Sequence, residues 1–315
     1  MLKTAECVSP SHPDKLCDRI SDTVLDAYLT QDPASRVAVE AVGSHGKIFV
    51  TGEVTTTATG IDICAIVESI VGDQYDISVH VVEQSPEIAK GVDTGGAGDQ
   101  GIMTGYATRE TDTYMPKEYE LARTLCQALY EKYPYDGKTQ VTLHADETIH
   151  SVVASFQNAP QAELRALAEA VIPGAHTYHI NPAGDWNMGG FDADAGLTGR
   201  KIIVDNYGPE IAVGGGAFSG KDPSKVDRSG AYMARRIAVD YLEKYPDAQT
   251  VLVKLAYAIG YPEALMAVAT IDGVAQPVEG YDLTPNGIRS FLQLQTPCYA
   301  ETAKWGHFGR GFQWR

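Results

Sequence analysis

The chain has 315 residues, of which 44% are apolar, 21% charged and 9% aromatic, a globular composition long enough for two or three domains. A net charge of -16 argues against nucleic acid or an anionic membrane as the main partner. Five scattered cysteines form no C-x-x-C pair, no apolar run nears the ~20 residues of a membrane span, and the N-terminus has no apolar signal segment, so a cytoplasmic protein without structural zinc or disulfides is expected.

In chain order, Ser11-His12-Pro13-Asp14 opens a first helix, with Leu16, Ile20 and Val24 as its buried stripe and a stop near Leu29, before Asp32-Pro33. Alternation over 36–42 and 48–55 around Gly43-Ser-His-Gly46 predicts a hairpin. A helix over 61–71 and a strand over 76–82 follow. The order then recurs: a helix over 117–132, a hairpin over 139–156 turning at 145–148, a helix over 161–171 and an extended 176–181. A third pass has a helix over 224–245, strands over 249–260 and 264–272, and a helix over 284–294. The leading helices start roughly 105 residues apart. The fold expected is α+β: three similar domains, each a small mixed sheet with helices on one face, in a pseudo-threefold arrangement. Approximate boundaries are 1–95, 96–187 and 188–315, with strands open to exchange between domains. Gly-rich connections at 91–105, 184–199 and 208–220 hold most of the unusual chemistry.

The segment from Gly214 to Arg228 nearly spells a phosphate-binding loop. Gly215, Gly220 and Lys221 have the G-x-x-x-x-G-K spacing, but Asp222 stands where Ser or Thr would hold magnesium. Glycine lets backbone N–H groups approach an oxyanion, Lys221 and Lys225 add charge, and Asp227 offers a hard oxygen to a divalent cation. At the first helix start, Asp14 can hold a metal and His12 can donate to a leaving oxygen. An ordinary capped helix reads the same way. Glu40 and Glu53 interrupt apolar strands, so each is paired, bound to a cation or on the wet face of its sheet. Asp194 to Lys201 leads into Ile202–Asp205, read as an apolar strand. Its Arg200-Lys201 pair suits phosphate oxygens. Trp186 could stack on a base or fill a core.

Several blocks together resemble the S-adenosylmethionine synthetase (methionine adenosyltransferase) family. They are His12-Pro-Asp-Lys15, Gly96-Ala-Gly-Asp-Gln-Gly101, Gly105-Tyr-Ala-Thr108, Gly196-Leu-Thr-Gly-Arg-Lys-Ile-Ile-Val-Asp205, Gly214 to Ser229, Tyr257-Ala-Ile-Gly260 and Gly306-His-Phe-Gly-Arg310. They run in family order along nearly the whole chain. The resemblance implies attack of the methionine sulfur on C5′ of ATP, then hydrolysis of the released triphosphate to pyrophosphate and phosphate. It implies two Mg2+ and one K+, and a homodimer or dimer of dimers with active sites between subunits. By motif it assigns His12, Lys138, Arg200, Lys201 and Lys221 to catalysis. ATP contacts would be these five with Asp136, Gly137, Asp185, Trp186, Asp194 and Ala217. Methionine contacts would be Glu53, Gln84, Asp99, Asp194 and Lys225. Asp14 and Asp227 would hold magnesium, and Glu40 potassium.

The sequence departs from the family at two points. The segment between Gly91-Val-Asp93 and Gly96-Ala-Gly98, part of the family's mobile lid, is short, so faster or leakier gating is expected. Trp186 stands where many members have Phe. Other readings are a phosphotransferase using the same triphosphate pocket, and an inactive assembly partner of a true synthetase. Retention of His12, Asp14, Lys138, Lys201, Lys221 and Lys225 speaks against the latter.

Overall fold

The computed structural model describes residues 2–84 and 95–315. Most of the expected lid lies outside the described residues.

Its elements are β1 (Lys3–Val8), α1 (Pro13–Gln31), β2 (Arg36–Ser44), β3 (Lys47–Thr55), α2 (Ile63–Val71) and β4 (Asp76–Val82). Then come β5 (Gly101–Thr108), α3 (Lys117–Lys132), β6 (Gly137–Leu143), β7 (Ile149–Phe156), α4 (Gln161–Val171) and β8 (Thr177–Ile180). The last third holds β9 (Gly196–Leu197), α5 (Ile202–Asp205), α6 (Val226–Lys244), β10 (Thr250–Tyr257), β11 (Met266–Ile271), β12 (Val274–Pro277), α7 (Pro285–Phe291) and α8 (Tyr299–Trp305).

Three four-stranded sheets result, in the orders β9-β2-β3-β4, β1-β6-β7-β8 and β5-β10-β11-β12. Each is a hairpin flanked by a strand taken from another third of the chain. β1 runs antiparallel to β6, with Lys3 opposite Leu143 and Val8 opposite Lys138. β5 pairs β10, and β9 pairs β2. The first two sheets close with a parallel strand, β4 or β8, reached through a helix. The third breaks the pattern: β12 is antiparallel to β11 and follows it directly.

Two expectations are corrected. Two of the Gly-rich stretches read as connections contain strand, since residues 101–105 begin β5 and Gly196–Leu197 form β9. Residues Ile202–Asp205 form the one-turn helix α5 instead of a strand. Lys201 O accepts Asp205 N–H at 2.8 Å, closing a turn that a strand could not make.

α1 begins at a His12 N-cap with Pro13 in its first turn, where the missing N–H costs nothing. Cys17, Ile20, Val24 and Leu25 are fully buried. Burial of side chains this size contributes about 1.5–3 kcal/mol each for the larger ones. α6 is buried along most of its length. It lies so close to β5 that a Cβ on Gly105 would meet Ala234 backbone at 2.0 Å, so this position needs glycine. The first and third sheets share one continuous core, and the second has its own around Leu125, Leu129, Val141 and Phe156.

Candidate active site

The start of α1 gathers the first group of expected site residues. His12 Nδ1 accepts the Asp14 N–H at 3.2 Å. Burial, helped by Lys201, pushes the His12 ring down to about 4 against the opposing pull of Asp14. The ring is therefore neutral at neutral pH. With Nδ1 accepting, its proton sits on Nε2. Asp14 is 1% exposed. It accepts Lys201 Nζ at 2.6 Å and Leu197 N–H at 3.0 Å, with Arg200 Nε 3.4 Å away. Burial raises its carboxyl, but the hydrogen bonds from Lys201 and Leu197 outweigh that and hold it below the usual range.

Asp14 is the first of four aspartates at every fourth position on α1. Asp18 accepts Gly199 N–H at 2.8 Å, Asp22 accepts Gly220 N–H at 2.8 Å, and Asp26 accepts the N–H groups of Tyr299 (3.0 Å) and Ala300 (2.8 Å). One helix stripe thus ties down both glycine-rich segments and the start of α8. Sequence reasoning missed Asp18, Asp22 and Asp26. Their signal was the spacing: one helix face carrying four acids, interleaved with Ile20 and Val24. Lys15, also buried, pairs with Asp205 at 2.7 Å and Asp18 at 3.0 Å, anchoring the turn after Lys201.

The central third reaches the same place through the β1–β6 pairing. Ser9 N–H donates to Gly137 O at 2.8 Å, and Lys138 lies opposite Val8. Lys138 Nζ pairs with Glu6 at 2.6 Å. Both Lys138 and Asp194 are near enough to bear on the charge of His12. Asp136 accepts Gly190 N–H at 3.0 Å, and burial pushes its carboxyl up to about 6. Asp185 accepts Gln161 N–H at 3.0 Å at the start of α4. Trp186 donates its indole N–H to Ser155 at 3.1 Å and is half-buried against β7.

A second group lies along the near-P-loop segment. Lys221 Nζ pairs with Asp227 at 2.6 Å, and the other Asp227 oxygen accepts Gly216 N–H at 3.1 Å. Asp222 has a structural task. It accepts Val37 N–H at 2.7 Å and Ser224 N–H at 2.8 Å and pairs with Lys225, fastening the segment to β2. Gly199 and Ala217 join the two groups: a Cβ on Gly199 would sit 2.4 Å from that of Ala217. Glu40 and Glu53 lie on the face of the first sheet turned away from its helices, Glu40 exposed and Glu53 partly so, which resolves them to the wet side. Gln84 is buried with an unpartnered Oε1, and Asp99 is exposed.

Within the chain, His12, Asp14, Arg200 and Lys201 are in direct contact or adjoining, with Asp136, Lys138 and Asp194 near enough to bear on the charge of His12 or of one another. Lys221 pairs with Asp227, Lys225 with Asp222, and a bridge between Lys221 and Ala38 sets Lys221 in one row across β2 and β3 with Glu53. Among the described residues no three acidic, His or Cys side chains converge as a cage. Asp14 and Asp227 each present a hard carboxylate beside phosphate-suited cations. That donor set fits Mg2+, which takes one or two carboxylates and fills its other positions with phosphate and water.

The chain is similar to one family along nearly its whole length. Residues 1–86, 94–186 and 188–315 match the N-terminal, central and C-terminal domains of S-adenosylmethionine synthetase. The S-adenosylmethionine synthase of Methylobacterium radiotolerans is 40% identical, covering 99% of this chain and 95% of the relative. That of Petrotoga mobilis is 39% identical (98% and 94%), and that of Corynebacterium urealyticum 41% (98% and 93%). These alignments span 373 to 378 positions against 315 residues here, so the relatives carry inserted segments that this chain lacks.

Proposed function

The chain belongs to the S-adenosylmethionine synthetase family, and on that premise we propose how its residues make S-adenosylmethionine from L-methionine and ATP. The methionine thioether attacks C5′ of ATP and expels the triphosphate, which is then hydrolysed to pyrophosphate and phosphate. A thioether carries no proton to remove, so no general base is needed. The demand falls on alignment and on neutralising the leaving charge.

One observation carries this reading: residues from all three thirds of the chain surround the first turn of α1. His12, neutral and protonated on Nε2, donates to the departing oxygen. Lys138, Arg200, Lys201 and Lys221 take the triphosphate oxygens. Arg200 and Lys201 can turn from Asp14 to the substrate because Arg200 is 52% exposed and Lys201 16%. Asp136, Gly137, Asp185, Trp186, Asp194 and Ala217 frame the nucleoside. Glu53, Gln84, Asp99, Asp194 and Lys225 receive methionine. Asp14 and Asp227 would each hold one of two Mg2+ ions, and Glu40 a K+. Those ions would add positive charge against the triphosphate.

Glu40 and Glu53 share their sheet face with Val42, Phe49, Val82 and Leu197, each 37–46% exposed. An apolar face bearing site carboxylates suits a second copy of the chain. Each active site would then lie between two subunits, closed by this sheet face of a second copy. Activity per subunit should fall on dilution through the dimer dissociation range; a constant value there would refute shared sites.

The test is incubation of the purified protein with methionine, ATP, Mg2+ and K+. The expected products are S-adenosylmethionine, pyrophosphate and phosphate. Release of ADP with a phosphorylated acceptor would establish the phosphotransferase reading instead.

A further inference from the structure

Beneath the Lys221 loop lies a buried pair that the mechanism above does not use. Arg228, on the first turn of α6, and Asp22, on α1, form a two-pronged ion pair at 2.7 and 2.8 Å, with side chains 1% and 0% exposed. A buried pair of this kind is not by itself evidence of function. Its remaining hydrogen bonds give it direction. Arg228 Nη1 also donates to Phe218 O at 3.0 Å and Lys221 O at 3.2 Å. Asp22 Oδ1 accepts the Gly220 N–H at 2.8 Å. The pair therefore grips residues 218, 220 and 221 from one side, through two carbonyls and one N–H.

The loop needs that grip. Gly220 has φ +79, and a Cβ there would lie 1.8 Å from Val39 O, so its backbone is pressed onto β2. From this anchored backbone Lys221 reaches Asp227, one residue before Arg228 on the same helix turn. The carboxylate facing Lys221 and the guanidinium holding Lys221's backbone are thus neighbours in sequence. The other contacts of Arg228 brace it: Nη2 donates to Thr302 at 3.1 Å, Nε to Tyr232 at 3.0 Å, and its Cζ lies 4.2 Å from the centre of the Tyr299 ring. Tyr232 in turn meets His307 Nδ1 at 2.7 Å.

We infer that Asp22 and Arg228 are positioning residues for triphosphate capture, acting through the backbone of Phe218–Lys221 to aim the Lys221 ammonium. This rests on the reading of Lys221 as a triphosphate ligand. It adds that the loop is pre-set by a buried ion pair instead of being ordered by substrate. The inference differs from a stability role in one respect: its effect on ligand binding must pass through Lys221.

A double-mutant cycle reads that directly. Binding of magnesium tripolyphosphate is measured by calorimetry for the intact oligomer of wild type, Asp22→Asn, Lys221→Ala and the double variant, with thermal melts of each. Asn keeps an oxygen for the Gly220 N–H and the volume of Asp, but gives up the charge that orients Arg228. Each single change should weaken binding at least ~10-fold, as expected for a misaligned or missing charge contact. The double variant should be within about 2-fold of Lys221→Ala alone, since Asp22 has nothing left to aim. Losses that multiply, or an Asp22→Asn protein that melts lower yet binds normally, would overturn the inference. If Asp22→Asn does not fold, the same cycle with Arg228→Lys decides it. Failure of the wild type to bind tripolyphosphate would instead strike the assignment of the site, a distinguishable result.

Discussion

Two arginines from the C-terminal third meet the same face of α1, about two turns apart, in opposite settings. Arg200 lies 3.4 Å from Asp14 and is 52% exposed. Arg228 grips Asp22 through two nitrogens and is 1% exposed. The chemistry of the pairs is alike, and burial separates their tasks. Water or phosphate can replace Asp14 as a partner for Arg200, whereas stripping Asp22 from Arg228 leaves an uncompensated charge in the core. The same acidic stripe thus carries an exchangeable contact at its open end and fixed ones further in.

The largest effect expected is on the fixed pair. Arg228→Met should lose about 3–5 kcal/mol of folding stability by chemical denaturation, because Asp22 is left buried and unpaired. A loss under about 1 kcal/mol would erase the contrast. Arg200→Ala should do the reverse. Its turnover should drop ~100-fold, while stability changes by less than about 1 kcal/mol. An Arg200→Ala enzyme with near-normal turnover would remove Arg200 from the exchangeable set.

Asp136 gives a finer test, one of pH. Its carboxyl, raised by burial to about 6 from an ordinary 3.8, binds its proton more tightly folded than unfolded. The contribution to stability is present below about pH 4 and is lost as pH rises through about 6. Asp136→Asn keeps an acceptor for Gly190 N–H but cannot ionise. Its stability relative to wild type should therefore rise by on the order of 2 kcal/mol between pH 4 and 7. A difference independent of pH would show that Asp136 is not desolvated as described.

What the sequence disclosed follows from how local each signal is. The helices and hairpins of the three passes were legible because their periodicities lie within 10–20 residues. β1, β5 and β9 were not. β9 is only two residues long, and the partners of β1 lie far away in sequence, with Lys3 opposite Leu143. α5 was mistaken for a strand because Ile202-Ile-Val204 is β-branched, yet the Lys15–Asp205 contact and the turn hydrogen bonds prevail over propensity. In the site, the glycine- and lysine-bearing motifs were legible. Asp22 and Arg228 were not, because an acid on a helix and an arginine after Asp227 look like solvated residues until the fold buries them together. Asp222, read as a departure from a phosphate loop, proved to be the clamp that holds that loop to β2.

The most direct test of this account is a structure of the protein with magnesium tripolyphosphate bound. In that complex Arg200 and Lys201 should leave Asp14 for phosphate oxygens while Arg228 stays on Asp22 and the Gly220 backbone does not move. Lys201 still on Asp14 with the ligand in place, or a Gly220 loop that rebuilds around it, would contradict the division between exchangeable and fixed pairs.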